Sequence, residues 1–140
     1  MYARNLDDLI ARTRQAADAG AKIVGWPENA VFLLKEDEGA VIDRLGRLAA
    51  EADIYLVTGF RPLLANAQWP FAENRVLIID PTGTVVSDYA KTHTGPGDAF
   101  GPGSGSVSTV QTPYGRLAAI ICVDADFPAT ARQVGQAGAD

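Results

Sequence analysis

The chain has little of what metal-, disulfide- or nucleic-acid-dependent proteins require. Its 140 residues hold one cysteine, Cys122, and one histidine, His93. A single cysteine excludes an intramolecular disulfide, and with one histidine neither a cysteine-rich nor a histidine-based metal site can be assembled. Basic residues are also scarce: 12 Lys and Arg stand against 17 Asp and Glu, for a formal charge of -5. They form no cluster, which argues against a nucleic-acid surface. No apolar run approaches the roughly 18 residues of a membrane helix, and no signal-peptide pattern is visible. The expectation is a soluble, metal-free protein of the cytoplasm.

What is present describes one ordinary globular domain over residues 1–140, with 47% apolar and 21% charged residues. Leu6, Leu9, Ile10, Thr13 and Ala16 recur at helical spacing, and Gly20 supplies a stop. Ala21 to Trp26 reads as a short strand ended by Pro27-Glu28. A second amphipathic helix carries Val41, Ile42, Leu45, Leu48 and Ala49 on its apolar stripe. Ile54 to Gly59 is the next strand, and Arg61 to Ala72 a loop. Asn74 to Asp80 and Thr84 to Tyr89 form a hairpin through Pro81-Thr82-Gly83.

Lys91 follows that hairpin directly. Thr92 to Ser106 is dense in glycine and proline and reads as an exposed loop. Its Gly101 to Gly105 segment is not a phosphate loop, because it does not link a strand to a helix. Val107 to Thr112 and Leu117 to Cys122 form a second hairpin through Pro113-Tyr114-Gly115, and a helix starts near Asp126 with Pro128 in its first turn. Alternation first and hairpins later predict an α/β fold with mixed sheets.

Three ionisable residues each follow an apolar strand: Glu28, Lys91 and Cys122. Singly, each has an ordinary explanation. Glu28 favours a following helix or is solvated, Lys91 is a surface lysine, and Cys122 is a small core hydrophobe. Together they supply a base, a cation and a nucleophile at strand ends, where open sheets carry their chemistry. A helix start after Cys122 would further stabilise a thiolate. Such a trio suits acyl transfer through a thioester. Glu28 would take the thiol proton if burial or a neighbour raised its pKa, and Lys91 with a backbone N–H, that of Val123, would stabilise the oxyanion.

The segments Trp26-Pro27-Glu28-Asn29, Tyr89-Ala90-Lys91-Thr92-His93 and Gly115 to Pro128 resemble, in order, the three signature blocks of the nitrilase or carbon–nitrogen hydrolase superfamily. The resemblance covers nearly the whole chain. It implies an α-β-β-α sandwich, a Glu28–Lys91–Cys122 catalytic triad, no cofactor, and a small-molecule amide, nitrile or acyl donor as substrate. A homodimer is the assembly the family often forms. Asp98 stands near the place of a second family carboxylate, one methylene shorter than the usual glutamate, and a solvated loop residue is the alternative. His93 is expected to fix the loop.

Members of the superfamily are about twice this long. The chain is therefore expected to be truncated at both ends, a partial copy of the sandwich. Its three helices would cover one outer face, and Val76, Ile78 and Ile120 would lie open to water. Amide or nitrile hydrolysis is the leading reading. The alternatives are an N-acyltransferase of the apolipoprotein N-acyltransferase type, membrane-attached through segments outside this chain, and an inactive fragment with an interaction role.

Overall fold

The two helical stripes and the first strands meet on one sheet. A computed structural model describes residues 2–65 and 68–140; Met1 and the Asn66–Ala67 part of the expected loop lie outside the described residues. Helix α1 (Tyr2–Asp18) leads to β1 (Ile23–Gly25), β2 (Val31–Leu34), α2 (Glu38–Ala52) and the long strand β3 (Tyr55–Leu63). The hairpin β4 (Arg75–Ile79) and β5 (Val85–Ala90) follows. The chain then forms a second hairpin, β6 (Thr109–Thr112) and β7 (Gly115–Ala118), a 3-10 turn at Cys122–Asp126, and α3 (Pro128–Gln136).

The main sheet has five strands, and β3 organises it. Strand β1 pairs in parallel with its first half and β2 in parallel with its second half, while β4 pairs antiparallel along the opposite edge. Strand β5 continues antiparallel beyond β4, so the sheet is mixed as expected. Strand β2 is an addition to the sequence reading. Val31–Leu34 is too short to announce itself, and only its pairing to Phe60–Leu63 makes it a strand. That pairing also draws β3 past Gly59, into residues expected to be loop. Pro62 is tolerated because β3 has left β4 after Phe60, and its carbonyl accepts the Glu73 N–H at 2.9 Å.

Side-chain alternation divides the sheet into two faces. Leu56, Phe60, Leu77 and Ile79 pack with Leu6, Ile10, Leu45 and Leu48 from the two helices. Trp26 joins this layer and donates its indole N–H to Thr13 Oγ1 at 2.9 Å, which satisfies a buried hydroxyl. On the other face Val76, Ile78 and Tyr89 pack with Ala119 and Ile121 and with half-buried Val110 and Leu117. The layers are thus α-β-β-α, with α3 on the side of the second hairpin, where Gln133 bonds Gly105 O and Val107 N and Arg116 bonds Ala137 O.

Two expectations are corrected here. Val76 and Ile78 are 7% and 0% exposed, because residues 117–121 fold across them, and Ile120 is half-buried. The helices do not share one outer face, since α1 and α2 cover the main sheet while α3 attends the second. Among the described residues no helix is long and apolar enough to cross a membrane.

Leu77 is fully buried in the central antiparallel pair. Leu77→Ala is expected to cost about 2–5 kcal/mol of unfolding free energy, as for other buried leucines. Urea denaturation followed by circular dichroism measures this, and a loss below about 1 kcal/mol would mean that this core is loosely packed.

Candidate active site

Glu28 lies where the edge of the main sheet is broken. Between β1 and β2 the chain leaves β3 after Trp26, whose N–H still bonds Val57 O at 2.8 Å, and turns through Asn29 at a φ of 57°, with Ala30 N–H bonded to Pro27 O at 3.2 Å. Asparagine is among the few side chains that enter this left-handed region readily. The crossing runs directly over Gly59. A Cβ there would stand 2.2 Å from Pro27 O and 2.9 Å from Glu28 Cα, so only glycine lets Glu28 sit this low on the sheet.

Lys91 arrives from the neighbouring side, one residue past β5. Its backbone is held twice: its N–H bonds Asn74 O at 2.9 Å and its carbonyl accepts Gly103 N–H at 2.8 Å. The glycine-rich loop is therefore a strap over the lysine. A Cβ on Gly103 would fall 2.3 Å from Ala90 O. The Lys91 side chain is buried, with its ammonium 5.4 Å from the Phe100 ring centroid and 3.0 Å from Glu28 Oε1. Arg61 stacks on the other neighbours, Phe32 and Phe100, and donates to Asn29 Oδ1 at 3.1 Å.

Cys122 does not end a strand. Strand β7 stops at Ala118, and Cys122 opens the 3-10 turn with a φ of 49°, a backbone region that costs a non-glycine residue about 1–3 kcal/mol. Helix α3 begins only at Pro128, so the expected helix start directly after the cysteine is replaced by this turn. The result is an exposed sulfur rather than a core one.

Two donors, Asn74 Nδ2 at 2.8 Å and Lys91 Nζ at 3.0 Å, bond Oε1 of the Glu28 carboxylate, and the Cys122 thiol is a third group that favours its ionised form. Burial pushes the Glu28 pKa up, but the bonds from Asn74, Lys91 and Cys122 outweigh it and hold the carboxyl below its ordinary value. The group is therefore ionised at neutral pH, and the raised pKa expected of a base for the thiol is corrected to a lowered one, because its donors outweigh its burial. Glu28 and Cys122 also line one cavity of about 360 Å³ between the sheets, walled by Trp26, Val57, Val76 and Ala118–Ile121. A larger cavity of about 580 Å³, between α1, β2 and α2, contains none of the three residues.

The sequence reading did not find what holds the cysteine turn. Asp124 is fully buried and accepts from Tyr89 Oη at 2.6 Å, Thr92 N at 3.1 Å, His93 N at 2.8 Å and His93 Nδ1 at 2.7 Å. One carboxylate thus ties the turn after Cys122 to the strand that carries Lys91. His93 is further stacked on Phe127, with ring centroids 3.4 Å apart. Burial, then the bond to Asp124, pushes the Tyr89 hydroxyl up to about 12. Asp98 stands apart from this group, its carboxylate accepting Gly95 N–H at 2.6 Å within its own turn. Val123 is exposed beside Cys122. An aspartate two residues after the cysteine was a visible signal, but nothing local in the sequence marks it as buried.

Burial raises the Asp124 pKa, and the bonds from Tyr89, His93 and Thr92 more than reverse this, leaving it below the ordinary value. A depressed carboxylate contributes stability that is present above its unfolded pKa of about 3.9 and lost as pH falls through the folded value. Asp124→Asn is therefore expected to be less stable by about 1–3 kcal/mol at neutral pH. The gap to the unsubstituted protein should narrow below about pH 4. Urea titrations at both pH values measure it, and an equal gap at both would remove the ionised carboxylate from the account.

With this geometry in hand, the comparisons are specific. The sequence profile described as carbon–nitrogen hydrolase matches residues 2–140. The chain is 32% identical over 160 residues to omega-amidase NIT2 of Homo sapiens, covering 96% of this chain and 54% of that protein. It is 29% identical over 158 residues to a citrullinase of Francisella tularensis, covering 99% and 54%. A variant of the amidase from Nesterenkonia sp. AN1, solved after Michael addition of acrylamide at its active-site cysteine, shares the fold. Its TM-score is 0.84 at 24% identity, over 99% of this chain and 58% of that one. The chain spans about half the length of these curated relatives. It belongs to the carbon–nitrogen hydrolase family, within the nitrilase superfamily.

Proposed function

We propose that this chain carries the reacting groups of an amide-type carbon–nitrogen hydrolase, with Cys122 as nucleophile, Glu28 as general base and acid, and Lys91 as oxyanion stabiliser. The observation that carries the reading is the single carboxylate of Glu28, bonded by the Lys91 ammonium at 3.0 Å and lining one cavity with Cys122. A free thiol has a pKa of about 8.5 and is mostly protonated at neutral pH, so it needs an adjacent base.

In the first half-reaction the Cys122 proton passes to Glu28 as sulfur attacks the amide carbon. Negative charge gathers on the carbonyl oxygen, where Lys91 and the Val123 N–H would stabilise it. The C–N bond then breaks, Glu28 returns the proton to the leaving amine, and a thioester remains. In the second half Glu28 deprotonates a water that attacks the thioester. The carboxylic acid leaves and the thiol is restored. This scheme uses three side chains, one backbone N–H and water.

The activities for which the relatives are named, omega-amidase and citrullinase, favour hydrolysis of amide or ureido C–N bonds over transfer to an amine. The addition of acrylamide at the cysteine of the fold neighbour suggests the probe. Incubation with acrylamide or iodoacetamide, read by intact mass, is expected to give one adduct on Cys122, absent in Cys122→Ala. Glu28→Gln should slow alkylation at neutral pH by about 10² or more. On a panel of small amides Lys91→Met should lower turnover by about 10²–10³. Unchanged turnover in Lys91→Met would remove its assigned role, and alkylation no faster than that of an ordinary buried thiol would overturn the reading.

A further inference from the structure

Asn74 is placed unlike any other polar residue of the core. It precedes β4 and is 3% exposed. Its backbone carbonyl accepts the Lys91 N–H at 2.9 Å, while its side-chain Nδ2 donates to Glu28 Oε1 at 2.8 Å. One residue thus sets the height of the lysine strand and the rotamer of the carboxylate. Its side-chain Oδ1 is buried and has no hydrogen-bond partner. A buried carbonyl oxygen left unpaired is destabilising, so a residue chosen only to fill this site would not be an asparagine. The amide orientation is fixed by its neighbour, because a carboxylate can only accept.

Both nitrogen donors, Asn74 Nδ2 and Lys91 Nζ, fall on the same oxygen, Oε1. A doubly bonded carboxylate oxygen is the poorer proton acceptor, so the proton is directed to Oε2. We infer that Asn74 is a positioning residue for the base: it pins Oε1 of Glu28 and reserves Oε2 for the proton that Cys122 gives up. The inference rests on the proposed role of Glu28 as the base on Cys122. The charged or titratable groups around Glu28 are Lys91 from the end of β5 and Cys122 from the 3-10 turn. Arg61 of β3 is one step further out, on Asn29 Oδ1.

The test is the pH dependence of iodoacetamide alkylation at Cys122 in the 140-residue chain, read by intact mass. Its acid limb reports ionisation of Glu28 and is expected to vanish in Glu28→Gln. The near-isosteric Asn74→Asp sets a second carboxylate against Oε1 and should move the midpoint of that limb upward by about one pH unit or more. Asn74→Ala removes the donor without adding charge and should move it upward by less, with alkylation slowed about two- to fivefold at a fixed pH on the limb. A merely structural asparagine would lower the melting temperature in both variants and leave the midpoint where it was. That result, with the limb still lost in Glu28→Gln, overturns the role of Asn74 alone. A limb that persists in Glu28→Gln overturns the role of Glu28, and the inference with it.

Discussion

The carboxylate of Glu28 is the point on which the structure converges. The groups that favour its ionised form come from three segments far apart in sequence: Asn74 before β4, Lys91 after β5, and Cys122 beyond the second hairpin. A partly buried carboxylate is tolerated because these groups compensate for lost water. Their attachment in turn defines how the second hairpin sits on the main sheet. The crossing that presents Glu28 exists only because β1 and β2 share one edge of β3 and leave a gap over Gly59.

A second buried carboxylate completes the arrangement without touching the first. Asp124 collects two backbone N–H groups, a hydroxyl and an imidazole from Tyr89 to His93. Charge-assisted bonds of this kind are among the stronger ones a chain can form. They hold the turn of Cys122 in a backbone conformation that the residue would not adopt alone. Lys91 and Cys122 are therefore linked through two routes, directly by way of Glu28 and from behind by way of Asp124. The strap at Gly103 secures Lys91 on its remaining side.

These links explain how a base, a cation and an exposed thiol coexist in so small a volume. The lysine is neutralised by Glu28 and faces the ring of Phe100, so its burial is compensated. The carboxylate stays ionised because its donors outweigh its burial. The thiol stands at the cavity between the sheets, with apolar walls from Trp26, Val57 and Val76. Low polarity there strengthens the electrostatic contacts among these groups.

The sequence by itself determined the elements whose cause is local. Helical spacing placed α1 and α2, turn residues placed both hairpins, and three short blocks in order marked Glu28, Lys91 and Cys122. It did not determine β2, because a four-residue strand becomes one only by pairing with β3. Nor did it determine the end of β7, since Ala119 to Ile121 are as apolar as the strand before them, yet the pairing stops at Ala118, opposite the first residue of β6, Thr109. In the sequence Asn74 is simply the first residue of an expected strand and Asp124 one acid between Cys122 and Pro128, because burial and partners are properties of the assembled layers. The apolar pattern fixed which residues go inside, whereas the positions of polar atoms within that interior depended on segments that meet only once the sheets have closed on each other.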